Sequence, residues 1–194
     1  YGEYGQFSPD GKQIACTWYS DKDKRYSLRF IGVDGSEPRV LYQNEEVVYP
    51  APYGWSPDGR YLLAEFSTKG GVNQIVLVSA RDGAARVLKT LDWRYAGVLN
   101  FSPDGRGIAY DFPQAENTSA RDISLLATDG SREIHLVDDQ ANDRGPVWTP
   151  DGKRVLFLSD RGGNVGLWAV EVSDGKPQGS PELMKPDVGE ISPI

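Results

Sequence analysis

Four aspartates share one local setting: Asp10, Asp58, Asp104 and Asp151 each follow a proline and precede a glycine. Loop carboxylates are the residue type that binds calcium, and the segment from Asp139 to Gly145 comes nearest to a calcium loop. It fails as one, because Ala141 stands where an oxygen ligand is needed and no terminal Glu is in register. The Pro-Asp-Gly aspartates have a simpler use, accepting hydrogen bonds from their own backbone to fix a turn. Nucleophilic catalysis asks for a base beside a nucleophile. The single His, His135, lies between Ile134 and Leu136 in a segment that reads as an outer strand with the imidazole at the surface. The single Cys, Cys16, occupies a place where sister segments carry Ala64, Tyr110 and Phe157, so it reads as a small core residue and not as a reactive thiol. There is no Gly-x-Ser-x-Gly elbow and no glycine-rich loop opening a helix. No catalytic set, metal site or cofactor is expected.

Composition narrows the class further. The chain has 194 residues, 21 Lys+Arg against 28 Asp+Glu, and a net charge of −7. That balance argues against a nucleic-acid binder, which would carry a basic face. No apolar run reaches the length of a membrane span, and no secretory leader opens the sequence. The chain starts at Tyr1 and its only methionine is Met184, which reads as a processed product or a piece of something longer. Twenty-two Gly and 13 Pro, with 11% aromatics, point to many short strands with a real core.

The positioning elements follow from a repeat. Phe7-Ser-Pro-Asp-Gly-Lys12, Trp55-Ser-Pro-Asp-Gly-Arg60, Phe101-Ser-Pro-Asp-Gly-Arg106 and Trp148-Thr-Pro-Asp-Gly-Lys153 recur at spacings of 48, 46 and 47 residues. A second Asp-Gly pair, at Asp34, Asp82, Asp129 and Asp174, follows the first Asp by 24, 24, 25 and 23 residues. Proline presets φ for the second turn position, and glycine takes the positive φ that closes the hairpin. Apolar runs such as Leu62-Leu63-Ala64 and Ile108-Ala109-Tyr110 follow each first turn as buried strands. A third strand is anchored by Leu28 and Phe30, Ile75 and Leu77, Ile123 and Leu125, and Leu167 and Ala169. A fourth, outer strand carries Val40, Val87, Ile134 and Leu136; in the last repeat Pro177 and Pro181 interrupt it. Four antiparallel strands per unit of about 47 residues define the blade of an all-β propeller. The blades are expected at 1–43, 44–90, 91–137 and 138–185, with 186–194 as the start of a further inner strand or as closure.

The aromatic-Ser-Pro-Asp-Gly-basic string, its following apolar pair and the later Asp-Gly turn resemble the TolB-type, WD40-like bacterial propeller repeat. Ser159-Asp160-Arg161-Gly162-Gly163-Asn164 is particularly similar to that family. The likeness runs from about residue 3 to about 183. It implies a non-catalytic scaffold binding a protein or peptide, in a bacterial protein with a periplasmic or secreted location. Because this repeat usually makes six or more blades, the ends favour four consecutive units of a larger ring over a self-contained four-bladed ring. A third arrangement has two copies associate through their open blade faces.

Both Asp-Gly turns of a blade fall on one rim. The loops between second and third strands and between blades fall on the other, and these vary: 21–25, 44–46, 92–95, 115–118 and 138–144. Variable loops on a rigid scaffold are where binding residues concentrate. Trp93, Arg94 and Tyr95 are the leading candidates, since Trp, Tyr and Arg dominate interface hot spots; the alternative use of either ring is packing between blades. Tyr49, Arg144 and Arg161 are expected on the same rim. Two functions are open at this level, partner binding by the variable rim or a central channel, and substrate gating by the accessory propeller of a prolyl oligopeptidase-like hydrolase. The sensor half of a membrane-bound regulator is a third.

Overall fold

The computed structural model describes residues 2–189. These form sixteen strands in four separate four-stranded antiparallel sheets, with no helix among the described residues. The first blade holds β1 (Gly2–Phe7), β2 (Gln13–Ser20), β3 (Arg25–Gly32) and β4 (Arg39–Tyr42). The second holds β5 (Val47–Trp55), β6 (Tyr61–Thr68), β7 (Asn73–Ser79) and β8 (Ala85–Thr90). The third holds β9 (Leu99–Phe101), β10 (Gly107–Pro113), β11 (Arg121–Ala127) and β12 (Glu133–Val137). The fourth holds β13 (Arg144–Trp148), β14 (Arg154–Ser159), β15 (Gly166–Ser173) and β16 (Lys176–Lys185). Each sheet is a simple up-and-down meander in chain order. The chain divides into two compact units, Tyr1–Tyr95 and Ala96–Ile194, each containing two blades.

The repeated string makes the turn its chemistry dictates. In the first repeat the Gly11 amide donates to the Ser8 carbonyl at 2.9 Å and Gly11 has φ +69°. The Ser8 hydroxyl donates to the Asp10 carboxylate at 2.7 Å, and the Lys12 amide donates to the same oxygen at 3.1 Å. Ser56-Asp58, Ser102-Asp104 and Thr149-Asp151 repeat the pattern at 2.6–2.7 Å. The four aspartates are turn residues.

In each unit the core lies between two blades. In the first, Ala15, Leu28, Phe30 and Leu41 meet Leu62, Ala64, Phe66, Val76 and Val78. Phe30 stacks on Trp55 at 4.9 Å, and the Trp55 indole N–H donates back to the Gln6 carbonyl at 3.0 Å. In the second, Ala109, Ile123, Leu125, Leu136 and Val137 meet Val155, Phe157 and Val170. One blade cannot bury its own faces, so the hydrophobic stabilisation, about 1.5–3 kcal/mol per fully buried large side chain, belongs to the pair. Cys16 is buried and His135 is exposed, as expected of a core residue and an outer-strand residue.

Buried polar groups on the second strands reinforce the pairing. The Thr17 hydroxyl, fully buried, donates to the Pro50 carbonyl of the neighbouring blade at 2.6 Å. At the matching position of the third blade, Asp111 accepts from the Val98 amide at 2.8 Å and from Gly145, in the first strand of the fourth blade, at 3.3 Å. Its second carboxylate oxygen is paired with Arg121.

The last outer strand departs from expectation. β16 runs for ten residues, longer than β4, β8 or β12, but its pairing with β15 shifts register between Gln178 and Glu182, the stretch that contains Pro181. It is the edge of its sheet, where a residue without an N–H is tolerated. Its turn also differs, because Asp174 and Gly175 both have positive φ, 50° and 65°, the signature of a two-residue type I′ hairpin. The expected inner strand or closure at 186–194 is not a strand over 186–189, and 190–194 lie outside the described residues.

Candidate functional site

The connection after β8 is the most constrained of the variable loops. Asn73, nearly fully buried at the start of β7, grips it from beneath. Its amide donates to the Asp92 carbonyl at 2.9 Å, and the Leu91 amide donates to the Asn73 carbonyl at 2.7 Å. The Asn73 side-chain nitrogen donates to the carbonyls of Trp93 at 3.1 Å and Arg94 at 3.0 Å, while its Oδ1 accepts from the Ser67 hydroxyl at 2.7 Å. Asp92 closes the loop from above, accepting the Arg94 amide at 2.8 Å and the Arg94 guanidinium at 2.6–3.0 Å. These contacts with Arg94 hold the Asp92 carboxyl below the ordinary carboxylate range.

What this presents is a pair of rings. Trp93 is 53% exposed and Tyr95 61%. The Arg94 side chain is only 18% exposed and is spent on Asp92. Arg94 therefore holds the loop, and Trp93 and Tyr95 are the surfaces it offers.

The other expected site residues divide between the two units. Tyr49, near the start of β5, lies in the first unit. Its ring meets Tyr26 edge-on at 4.8 Å, Tyr26 meets Tyr19 at 5.0 Å, and its hydroxyl donates to Glu3 at 2.8 Å. Burial, then the Glu3 carboxylate, push its phenol well above the usual range.

Arg161 lies in the second unit, in the connection between β14 and β15. Its guanidinium takes both oxygens of Asp143 at 2.8 Å and Asp139 at 3.0 Å, and its Nε donates to Ser159 at 2.9 Å. It also lies over the rings of Trp168, at 5.1 Å, and Phe157, at 5.4 Å. Asp143 is fully buried, and burial pushes its carboxyl up while Ser159 and Arg161 pull it down. Gln114 donates to the Asp139 carbonyl, and the Asn142 amide donates to Asp160 at 2.9 Å. The 138–143 segment is thus organised by an arginine and an amide. Arg144 is exposed at the head of β13.

The single imidazole has one side-chain neighbour of note: His135 Nδ1 lies 3.2 Å from the hydroxyl of Ser124, which is buried within β11. The described residues hold no group of three or more His, Cys, Asp or Glu able to bind a metal. They also contain no helix long and apolar enough to cross a membrane.

Sequence reasoning found the exposed rings and missed the residue beneath them. The signal was present: the third strands begin with Arg25, Asn73, Arg121 and Gly166, and only Asn73 has a short side chain with both a donor and an acceptor.

Four-stranded up-and-down meanders that share their cores pairwise, each carrying a recurrent Ser/Thr-Pro-Asp-Gly hairpin, define a β-propeller domain. The family model of the TolB beta propeller domain matches residues 17–180, and the chain belongs to that family. An uncharacterized protein of Agrobacterium fabrum is 26% identical over 171 residues, covering 88% of this chain and 55% of that protein. Dipeptidyl-peptidase 5 of Porphyromonas gingivalis is 36% identical over 72 residues, 36% of this chain and 10% of that enzyme. The structure of a TolB from Agrobacterium tumefaciens superimposes with a TM-score of 0.73 at 24% identity, covering 95% of this chain and 62% of that one. This last likeness carries the fold alone. The chain spans little more than half the length of the Agrobacterium relative.

Proposed function

We propose that this domain is a non-catalytic scaffold that binds a protein or peptide partner through its variable-loop rim, with the loop from Asp92 to Tyr95 as principal contact. One observation carries the reading: Trp93 and Tyr95 are more than half exposed on a backbone pinned by Asn73 and Asp92. Large rings on an ordered loop lose little entropy on binding and suit a hot spot. Exposed Arg144 supplies a rim cation in the second unit, whereas Arg94, Arg161 and Tyr49 hold their loops in place. Membership of a family named for TolB supports the scaffold reading.

A second reading has its own support. The stretch shared with a dipeptidyl-peptidase fits a propeller that gates substrate for a hydrolase domain elsewhere in a longer protein. The full reading frame separates the two: an adjoining α/β domain with a nucleophile elbow favours gating and sinks the scaffold. For the scaffold, the double variant Trp93→Ala/Tyr95→Ala melts with the parent, since both rings are surface groups. Captured from cell extract by immobilised protein, the partner is retained by the parent and lost by the variant. Equal retention overturns the assignment.

A further inference from the structure

Ser67 and Asn73 stand opposite each other where β6 hands over to β7, and their side chains form a relay that ends on the Asp92–Tyr95 loop. The Ser67 hydroxyl donates to Asn73 Oδ1 at 2.7 Å, and Asn73 Nδ2 donates to the carbonyls of Trp93 at 3.1 Å and Arg94 at 3.0 Å. Only the nitrogen end of an amide can serve two carbonyl oxygens, so the side chain has one usable orientation. Asn73 is 3% exposed, which leaves little room for water as a substitute partner. Without Ser67 its oxygen would be buried with no donor, and such a group carries a desolvation cost.

The two held carbonyls belong to the peptide units that join Trp93 to Arg94 and Arg94 to Tyr95. Fixing those two units fixes the directions in which both rings leave the backbone. The matching cross-strand pairs of the other blades are Ser20–Arg25, Pro113–Arg121 and Ser159–Gly166. They are used otherwise: Arg25 reaches Glu45, Arg121 is paired with Asp111, and Gly166 has no side chain. The relay is thus particular to the blade whose following loop carries the rings.

We infer that Ser67 and Asn73 are positioning residues for the contact formed by Trp93 and Tyr95. Lying beneath the loop, they hold it in its presenting form before a partner arrives, so that association costs little ordering of the chain. This role rests on the two rings being the contact, but it is tested on the chain alone, so either can fail without the other.

The test is the order of backbone amides, measured by NMR relaxation on the intact chain. Arg94 and Tyr95 report on the loop, and Val76, fully buried in the middle of β7, reports on the sheet. In the parent all three are expected at an order parameter of about 0.85, the value of rigid backbone. Asn73→Leu keeps the volume and removes both donors; Arg94 and Tyr95 are expected to fall below about 0.6 while Val76 stays at about 0.85. Ser67→Ala is expected to lower the same two amides by part of that amount, and Ser67→Thr, which keeps the hydroxyl, to match the parent. A parent loop that is already mobile overturns the inference, as does an Asn73→Leu or Ser67→Ala loop as ordered as the parent's. So does a fall at Val76 equal to that at Arg94, which would make the pair part of the sheet and not of the loop's support.

Discussion

Asp111 shows how much a single side chain can be asked to do. It is 2% exposed, accepts from two backbone amides, that of Val98 just before β9 and that of Gly145 in β13, and is paired with Arg121. Removing one partner of a buried ion pair leaves the other charge uncompensated and strands the amides as well. Asp111→Ala is expected to cost about 3–5 kcal/mol in urea unfolding of the intact chain, whereas a loss below about 1 kcal/mol would show the network to be incidental. Arg94→Ala and Trp93→Ala are expected to separate in the same assay. Trp93→Ala falls within about 0.5 kcal/mol of the parent, and Arg94→Ala costs more because Asp92 loses its counter-charge and the loop its upper clasp. The reverse order would make Trp93 a packing residue.

Roles at this scale were only partly legible in the sequence. Trp93, Arg94 and Tyr95 stood out by type, and the rings are indeed exposed. The division of labour between rings and guanidinium was not legible, because it depends on Asn73 and on Asp92 folding back over its neighbour. Arg161 has the same character. Its position in a variable loop suggested a contact residue, but Asp143 comes within reach only when the fourth blade closes.

At the scale of the element, the hairpins were fully written in the residues. Ser, Pro, Asp and Gly each have one local reason to be where they are, and no long-range contact competes. The outer strand of the last blade was not, since two prolines break an internal strand but are tolerated on an edge, and edge status is a tertiary property. Gly105→Val is expected to destabilise the chain by about 1–3 kcal/mol, because a β-branched residue resists the observed φ of +72°. An unchanged urea midpoint would contradict the hairpin account.

The turn aspartates also set an acid limit. The Ser56 hydroxyl first, then the Arg60 amide and side chain, hold Asp58 at about 2. Asp10 and Asp151 are lowered by the matching hydroxyl and amide. At Asp104 burial pushes the carboxyl up, but the Ser102 hydroxyl and Arg106 amide still leave it lowered. Each folded value lies below the unfolded one, so the stabilisation is present above the unfolded carboxyl pKa of about 3.9 and is lost as pH falls toward the folded values. Melting temperature should therefore drop between about pH 4 and pH 2, and the triple variant Asp10→Asn/Asp58→Asn/Asp151→Asn should show a shallower drop. An identical slope would place the acid sensitivity elsewhere.

At the scale of the whole molecule, the repeat supplied the number of blades and the fold, and the family model agrees. In the scaffold reading, what the domain does is carried by departures from the repeat: an asparagine in place of Arg25 and Arg121, and a loop with two presented rings. These are the features that a search for regularity passes over. Apart from the Asp174-Gly175 turn, the Asp-Gly turns of the blades are alike, and the other loops carry most of the sequence variation. In the scaffold reading, binding is therefore concentrated at the variable rim and nearly absent from the outer strands.

A photo-crosslinking amino acid placed at position 93, and separately at Val87 on the exposed outer strand β8 of the same blade, tests this directly in the cell of origin. The account predicts a discrete adduct at position 93 that is missing at position 87 and disappears when Tyr95→Ala is added. Equal adducts at both positions, or none at 93, would contradict it.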